Sequence, residues 1–165
     1  MILADAALHE QLCTVADLES AVTGSRHARG AARARWVRDH ADALSESPGE
    51  TWMRMLAHEL GYETTSQFEV RDGDFVAFID LMLTDGRTGL EFDGLVKYRK
   101  PTEDHAANTV VREKLRQGRL EELGFQLLRV VWVQLSDPVA FDRRIRAQGV
   151  RPTRHPRARS PERIR

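Results

Sequence analysis

Four carboxylates occupy positions from which a folded chain could gather them around a metal ion. Glu50 opens an apolar helical stretch, Asp80 lies inside the apolar run FVAFIDLML, and Glu91 and Asp93 follow in LEFDG. An unpaired carboxylate inside an apolar strand is costly or takes up a proton, so Asp80 is expected to have a cation, a donor network or a catalytic role. Carboxylate oxygens suit a hard divalent cation, Mg²⁺ or Mn²⁺, that also contacts phosphates. Phosphodiester chemistry is therefore the first hypothesis.

Two successive strands would bring these carboxylates together. Residues two apart on a strand face the same way, so Glu91 and Asp93 share a face. A tight Asp-Gly turn between the strands predicts close antiparallel register, which makes Asp80 and Glu91 neighbours. Lys97, four residues after Asp93, could fold back over the site and orient an attacking water or stabilise developing charge. The set would meet the needs of phosphodiester hydrolysis.

Several of these residues also have a structural explanation. Ser47 and Pro48 are typical of a helix start, and a capping-box glutamate at Glu50 needs no catalytic role. Glu91 and Asp93 could form a solvated strand edge. Asp80 fits that explanation less well, because its neighbours are apolar on both sides.

The segment KYRK (97–100) and two arginines, Arg116 and Arg129, suggest that the proposed site also binds nucleic acid. KYRK could be only a basic surface loop, or it could bind phosphates while Tyr98 stacks on a base. Arg129 lies inside the apolar run FQLLRVVWV and is expected to have an anionic partner, which could be a site carboxylate, a DNA phosphate or a structural ion pair. Arg116 belongs to a helix with a basic face beside the proposed site. Trp132, on the strand face opposite Arg129, is interpreted as core.

The elements that must position these residues follow from periodicity and turn signals. Three helices are predicted near residues 4–12, 15–22 and 31–44, and a fourth from 47 to 60. Strands are predicted at 66–71, 74–83 and 88–92, then a helix over 106–123, a buried parallel strand from 125 and a last helix to about 148. The expected fold is α/β, with a mixed four-stranded sheet, a three-strand meander plus one crossover strand, flanked by helices. Three regions are expected: a helical N-terminal extension (1–44), a domain that contains the proposed site (45–149), and a basic, disordered tail (150–165).

Composition limits the classes of protein to which this chain can belong. The chain has 165 residues, 30% of them charged and 41% hydrophobic, with a net charge of zero, which fits one globular domain with extensions. No apolar stretch approaches the roughly 20 residues of a membrane span, and no signal peptide is visible, so we expect a cytoplasmic protein without a membrane partner. Residues 151–165 contain six arginines and one glutamate. This tail could be a solubilising end or an arm that attracts phosphate.

An ordered set of segments resembles a known superfamily. ESPGE, Gln67, Asp80, EFDGLVKY, REKLRQGRLEELG and FQLLRVVW occur in that order between about residues 45 and 148. Together they are similar to PD-(D/E)XK nucleases of the very-short-patch-repair-like endonuclease branch, especially the actinobacterial EFDG…KY type. Larger relatives of that type often carry an N-terminal winged-helix domain similar to abortive-infection antitoxins. This chain is expected to be a compact, truncated or phage-borne relative.

The resemblance implies a restriction-endonuclease-like fold and assigns roles. The acidic centre would consist of Glu50, Asp80, Glu91 and Asp93, with Gln67 beside it and Lys97 where related proteins have histidine or lysine. Arg116 and Arg129 would support the site. The usual acidic-x-Lys pair is replaced here by Glu91-x-Asp93.

The function expected from these features is a Mg²⁺- or Mn²⁺-dependent DNA endonuclease. An alternative is a catalytically silent nuclease fold that binds DNA or a protein partner in phage defence, toxin-antitoxin control or regulation. A structural interaction domain with buried ion pairs is a third hypothesis. Whether the chain forms a homodimer or binds a protein partner stays open at this point.

Overall fold

The computed structural model describes residues 1–94 and 103–154, and for residues 103–110 it describes the backbone alone. Lys97 and Tyr98 lie outside the described residues. Contacts within the chain divide it into two compact units, Met1–Trp52 and Met53–Arg165. The predicted domain limits after residues 44 and 149 stay predictions.

The first unit is built from short helices: α1 (Ile2–His9), α2 (Val15–Gly24) and α3 (Ala31–His40). Thr14 caps α2 as its sequence predicts, because its hydroxyl accepts a hydrogen bond from the Asp17 amide at 3.2 Å. The Asp17 carboxylate accepts one from the Thr14 amide at 2.8 Å. This reciprocal pair satisfies donors that the helix start leaves open.

A buried carboxylate ties α1 to the segment that follows α3. Asp5 is 1% exposed, and its oxygens accept hydrogen bonds from the Thr51 hydroxyl at 2.8 Å and from the Asp42 amide at 2.9 Å. A buried charge needs such donors, since an unsatisfied one would cost several kcal/mol. Asp5 thus fixes a contact between residues far apart in the sequence of this unit.

The helix α4 (Pro48–Glu59) has the start and end that its sequence predicts. The Ser47 hydroxyl accepts a hydrogen bond from the Glu50 amide at 3.2 Å, as an N-cap side chain does. Gly61 follows the helix with a φ of 88°, in the left-handed region that favours glycine. The space beside Gly61 is also closed, because an added Cβ would lie 2.2 Å from the Arg154 carbonyl oxygen.

The second unit contains one four-stranded sheet in the order β1-β2-β3-β4. Its strands are β1 (Thr64–Asp72), β2 (Phe75–Leu83), β3 (Thr88–Phe92) and β4 (Gln126–Val130). The first three form an antiparallel meander and β4 lies parallel to β3, with α5 (Glu103–Glu122) between them in the chain. The predicted mixed sheet of a meander plus one crossover strand, flanked by helices, is confirmed. No helix in the described part of the chain has the length and apolar character needed to cross a membrane.

Apolar side chains pack on both faces of the sheet. The first core joins the sheet to α4, α6 (Trp132–Leu135) and α7 (Pro138–Ala147), and the second core joins it to α5. Burial on both faces is typical of a sheet between two helical layers. The first core contains Met53, Leu56, Ala57, Tyr62, Leu81, Leu83, Leu90, Val130, Leu135, Phe141, Ile145 and Val150. The second core contains Val70, Ala77, Ile79, Met82 and Leu120.

The last apolar run differs from its prediction. The strand ends at Val130 and Trp132 begins α6, so Trp132 does not extend β4. The Val131 amide donates to the Gln134 side chain at 3.1 Å, which starts the helix. Trp132 is 40% exposed and contacts Phe92 edge to face, with ring centroids 4.9 Å apart, so its interpretation as a core residue was wrong.

Candidate functional site

Asp80 lies where β2 and β3 stop pairing. The last paired residues are Leu81 and Leu90, although β2 continues back to Phe75. One oxygen of Asp80, Oδ2, accepts a hydrogen bond from the Phe92 amide at 2.8 Å. The carboxylate therefore bonds to the backbone of β3 at the point where the strands separate, and it is partly rather than fully buried.

The alternation of side chains along β2 changes at the same position. Leu81 packs into the first core, whereas Ile79, which strict alternation would place on the same face, packs into the second. Opposite Asp80 on β1, the ladder skips Gln67, which has a φ of 46°. This left-handed conformation is uncommon for a residue other than glycine. Gln67 and Asp80 thus mark a local break in the sheet, and the resemblance had placed Gln67 beside the site.

Glu91 follows Leu90 on β3, one position past the last β2–β3 pair. Only 10% of its side chain is exposed, and its Oε1 accepts a hydrogen bond from Arg116 Nη2 at 2.7 Å. In the parallel β3–β4 register Glu91 lies opposite Arg129. A solvated strand edge therefore does not describe Glu91.

Arg116 and Arg129 share one carboxylate on α5. Glu113 accepts two hydrogen bonds from Arg116, each 2.9 Å long, and a third from Arg129 Nη2. Arg116 also donates to the Phe78 carbonyl at 3.3 Å. These bonds join β3, β4 and α5 through two arginines and two glutamates, a network with no net charge. The anionic partner expected for Arg129 is thus a carboxylate outside the predicted acidic set.

The network shifts the protonation equilibria of its members. The hydrogen bond from Arg116 is the main cause that lowers the pKa of Glu113, and Arg129 adds to it. The hydrogen bond with Glu113, followed by the bond with Glu91, raises the pKa of Arg116 above its usual value against the opposing effect of burial. Both groups are held in their charged forms.

Asp93 lies just past the end of β3 and is exposed. Its amide donates to the Val130 carbonyl at 2.8 Å, which extends the contact with β4 by one residue. The solvated-edge explanation fits Asp93 better than it fits Glu91. The site role of Asp93 stays a prediction.

Glu50 belongs to the first unit, and two of its hydrogen bonds are those of a capping residue. The Ser47 hydroxyl donates to Oε1 at 2.8 Å, and the Glu46 amide donates to Oε2 at 3.0 Å. These bonds agree with the capping explanation of the sequence. A catalytic role for Glu50 stays a prediction, as do the roles of Lys97 and Tyr98.

The donor types around the strand separation suit a hard divalent cation. Mg²⁺ is usually held by one or two protein carboxylates, with waters and substrate phosphates completing its shell, and Asp80 and Glu91 could supply such a pair. Asp80 accepts a hydrogen bond from the Phe92 amide, and Glu91 accepts one from Arg116. Among the described residues no three His, Cys, Asp or Glu side chains lie close enough to hold one ion.

Glu113 is the residue that the sequence interpretation missed. Its signal was the i,i+3 spacing to Arg116 on one helix, a usual arrangement for an ion pair. The basic face of α5 is also less free than predicted, since Arg119 pairs with Asp72 and with Glu122.

Comparisons with known proteins find two curated relatives and no assigned function. Both are named as uncharacterized proteins of Mycobacterium tuberculosis, one from strain CDC 1551 and one from strain ATCC 25618, and each is 28% identical to this chain over 129 residues. The match covers 77% of the chain but only 45% of each relative, so the chain spans about half the length of the curated relatives it matches. No family model matches the sequence. No protein of known structure matches it either.

Proposed function

We propose that this protein is a metal-dependent DNA endonuclease of the restriction-endonuclease-like type. One observation carries the proposal: Asp80 and Glu91 lie on adjacent strands immediately past their last pair, Leu81 and Leu90. Two carboxylates side by side at the end of a ladder could hold a cation between them, and that cation could in turn contact a phosphate. The resemblance of the ordered motifs to PD-(D/E)XK nucleases points the same way.

Different residues of the site would have different roles in the reaction. The Phe92 amide holds Asp80, and Arg116 holds Glu91, so both carboxylates are positioned before any ligand arrives. A bound Mg²⁺ or Mn²⁺ would neutralise phosphate charge and lower the pKa of an attacking water. The guanidinium of Arg129, 45% exposed, could contact a DNA phosphate while it keeps its bond to Glu113. Lys97 is proposed to orient the water.

A second candidate function has its own observation. Glu91 is already neutralised by Arg116, and Asp93 stands where the superfamily usually has lysine. A fold with these features could bind DNA or a protein partner without cutting, in phage defence, toxin-antitoxin control or regulation. Either function would place the protein in the cytoplasm, and a homodimer is compatible with both.

Cleavage of supercoiled plasmid and labelled duplexes in Mg²⁺ or Mn²⁺ tests the proposal. Asp80→Asn keeps the shape of the side chain and removes its charge, so we expect loss of cleavage equal to that caused by EDTA. The matched control is Asp72→Asn, which removes a carboxylate from a surface ion pair on the neighbouring strand. Cleavage that survives Asp80→Asn would refute the nuclease site. Metal-independent DNA binding without cleavage would favour the silent module.

Glu50→Gln separates capping from catalysis. The amide oxygen of glutamine can accept the hydrogen bond from the Glu46 amide while its Nε2 donates to the Ser47 hydroxyl, so a capping residue should tolerate the change with a stability loss of about 0.5 kcal/mol. A catalytic Glu50 would instead lose cleavage at unchanged stability. The two readouts, melting and cleavage, are measured on the same preparation.

A further inference from the structure

A group of exposed arginines lies at one end of the α2–α3 hairpin in the first unit. Arg26 and Arg29 belong to the connection between the helices, and Arg33 and Arg35 lie in the first half of α3. The rise of 1.5 Å per residue keeps Arg35 within about 6 Å of the start of α3 along its axis. Arg33 and Arg35 are two positions apart and lie on opposite flanks of α3, so the four arginines surround this end of the hairpin rather than share one helix face. Together they are called the arginine surface.

The connection that carries two of them is folded into turns. The Ala28 amide donates to the Ser25 carbonyl at 2.9 Å, and the Ala31 amide donates to the Ala28 carbonyl at 3.1 Å. Arg26 Nε donates to His27 Nε2 at 3.0 Å. The arginine surface is therefore supported by local backbone structure.

Acidic side chains do not neutralise this surface. The sequence has no Asp or Glu between Glu19 and Asp39, and Asp39 pairs with Arg38 at 2.6 Å. Within the described ranges, 1–94 and 103–154, none of the four arginines forms an ion pair with a carboxylate. The arginine surface therefore carries unbalanced positive charge that a polyanion could neutralise.

The surroundings of the surface favour a nucleic acid over a membrane. An interfacial helix buries large apolar side chains beside its basic residues. In this unit the exposed large apolar residues are Leu3, Leu12, Val15, Leu44 and Trp52, and none lies between residues 21 and 40. A surface that offers guanidinium groups without large exposed apolar side chains beside them matches backbone phosphates, which arginine binds in bidentate fashion.

We propose that the arginine surface binds the phosphodiester backbone of a nucleic-acid duplex, without reading its sequence. This contact goes beyond the proposed cleavage site and does not depend on it. It would give the first unit a role of its own in holding the substrate, through counterion release.

The test is the salt dependence of duplex binding by the full chain in EDTA, where no cleavage occurs. The variant is Arg29→Gln/Arg33→Gln/Arg35→Gln, and it keeps Arg26 because of its bond to His27. Each lost phosphate contact should reduce the slope of log K against log salt by about 0.9, hence by about 2.7 for three contacts. At about 0.1 M salt this change in slope corresponds to a loss of affinity of about 500-fold relative to 1 M salt.

Two further variants control for net charge and for folding. Arg71→Gln/Arg87→Gln/Arg143→Gln removes three exposed arginines from the second unit and should leave the slope nearly unchanged. The triple arginine-to-lysine variant at the surface positions keeps the charge and should keep the slope.

The possible outcomes distinguish duplex binding from a general charge effect and from binding to anionic lipid. Equal losses in the two glutamine variants would mean a general charge effect and would overturn it, as would an unchanged slope in the surface variant. Surface-dependent binding to anionic lipid vesicles, but not to a duplex, would overturn it too. A loss for DNA and RNA duplexes alike supports a shared backbone contact, and a loss for DNA alone supports the proposal and identifies DNA as the source of the phosphates.

Discussion

Replacing Arg116 by glutamine should destabilise the protein more than any other single arginine change on α5. The variant leaves Glu91, whose side chain is 10% exposed, without its charged partner, and it removes two bonds to Glu113. Breaking a fully buried ion pair from one side costs about 3–5 kcal/mol. Because Arg116 itself is 25% exposed, water can reach part of the site, so we expect a loss of about 2–3 kcal/mol.

Urea unfolding followed by circular dichroism gives the comparison. Arg119→Gln is the matched control, since Arg119 lies one helical turn later, is 43% exposed and also pairs with two carboxylates. Exposed ion pairs contribute little to stability because water screens them, so the control should lose much less stability than Arg116→Gln. For a chain of this size, 2 kcal/mol corresponds to a decrease in Tm of roughly 4–8 °C.

A double-mutant cycle identifies the partner responsible. With Glu91→Gln in the background, the buried carboxylate is gone, so Arg116→Gln should cost less than it does alone. If Arg116→Gln proves as mild as Arg119→Gln, or if its cost is unchanged by Glu91→Gln, the buried ion pair does not support the sheet and the reasoning fails.

The same variant should change the response to acid. The folded state lowers the pKa of Glu113 below its usual 4.5, so its contribution to stability is present above that pH and is lost as pH falls below it. Arg116→Gln removes the main cause of the shift. The stability of the variant should therefore decrease less steeply than that of the native protein between about pH 5 and pH 3.

Four further changes test the packing and the buried polar groups by the same unfolding assay. Asp5→Ala removes a carboxylate that is 1% exposed and accepts two hydrogen bonds, and should cost about 2–3 kcal/mol. Gly89→Ala would place a Cβ 2.5 Å from Ile79 Cγ2 and should cost about 1–3 kcal/mol, whereas Gly118→Ala, with open space in mid-helix, should stabilise by about 0.5–1 kcal/mol. Burial, then a hydrogen bond, raises the pKa of Tyr62 above 10.0, so native stability should fall as pH rises past about 10 and Tyr62→Phe should not show this loss.

Local signals predicted the elements of the fold. The Asp-Gly dipeptides predicted the two hairpins, and Ser47 and Gly61 predicted the limits of α4. These predictions succeed because turns and helix caps depend on residues that are close in sequence. The parallel position of β4 followed from its continuous apolar run and from the preceding helix, which could serve as a crossover. The end of β4 was missed, since an apolar run alone does not distinguish the end of a strand from the first turn of a short helix such as that at Trp132.

The contacts of the site were harder to predict than the elements. Glu91 and Arg116 are 25 positions apart, and their pairing depends on how α5 crosses the sheet. The partner of Asp80 is a backbone amide, which has no sequence signature at all. The sequence could therefore indicate that Asp80 needed a partner, but only the arrangement of the strands shows which donor it has.

The left-handed residue in β1 also affects how separate molecules of this protein meet. Within the described sheet β1 is an edge strand, and a long regular edge offers a template for strands of other chains. The ladder of β1 pauses at Gln67, which divides the edge into a segment of residues 64–66 and one of residues 68–72. A foreign strand would find only these short stretches in register. We therefore expect Gln67 to protect concentrated solutions of the protein against edge-to-edge association.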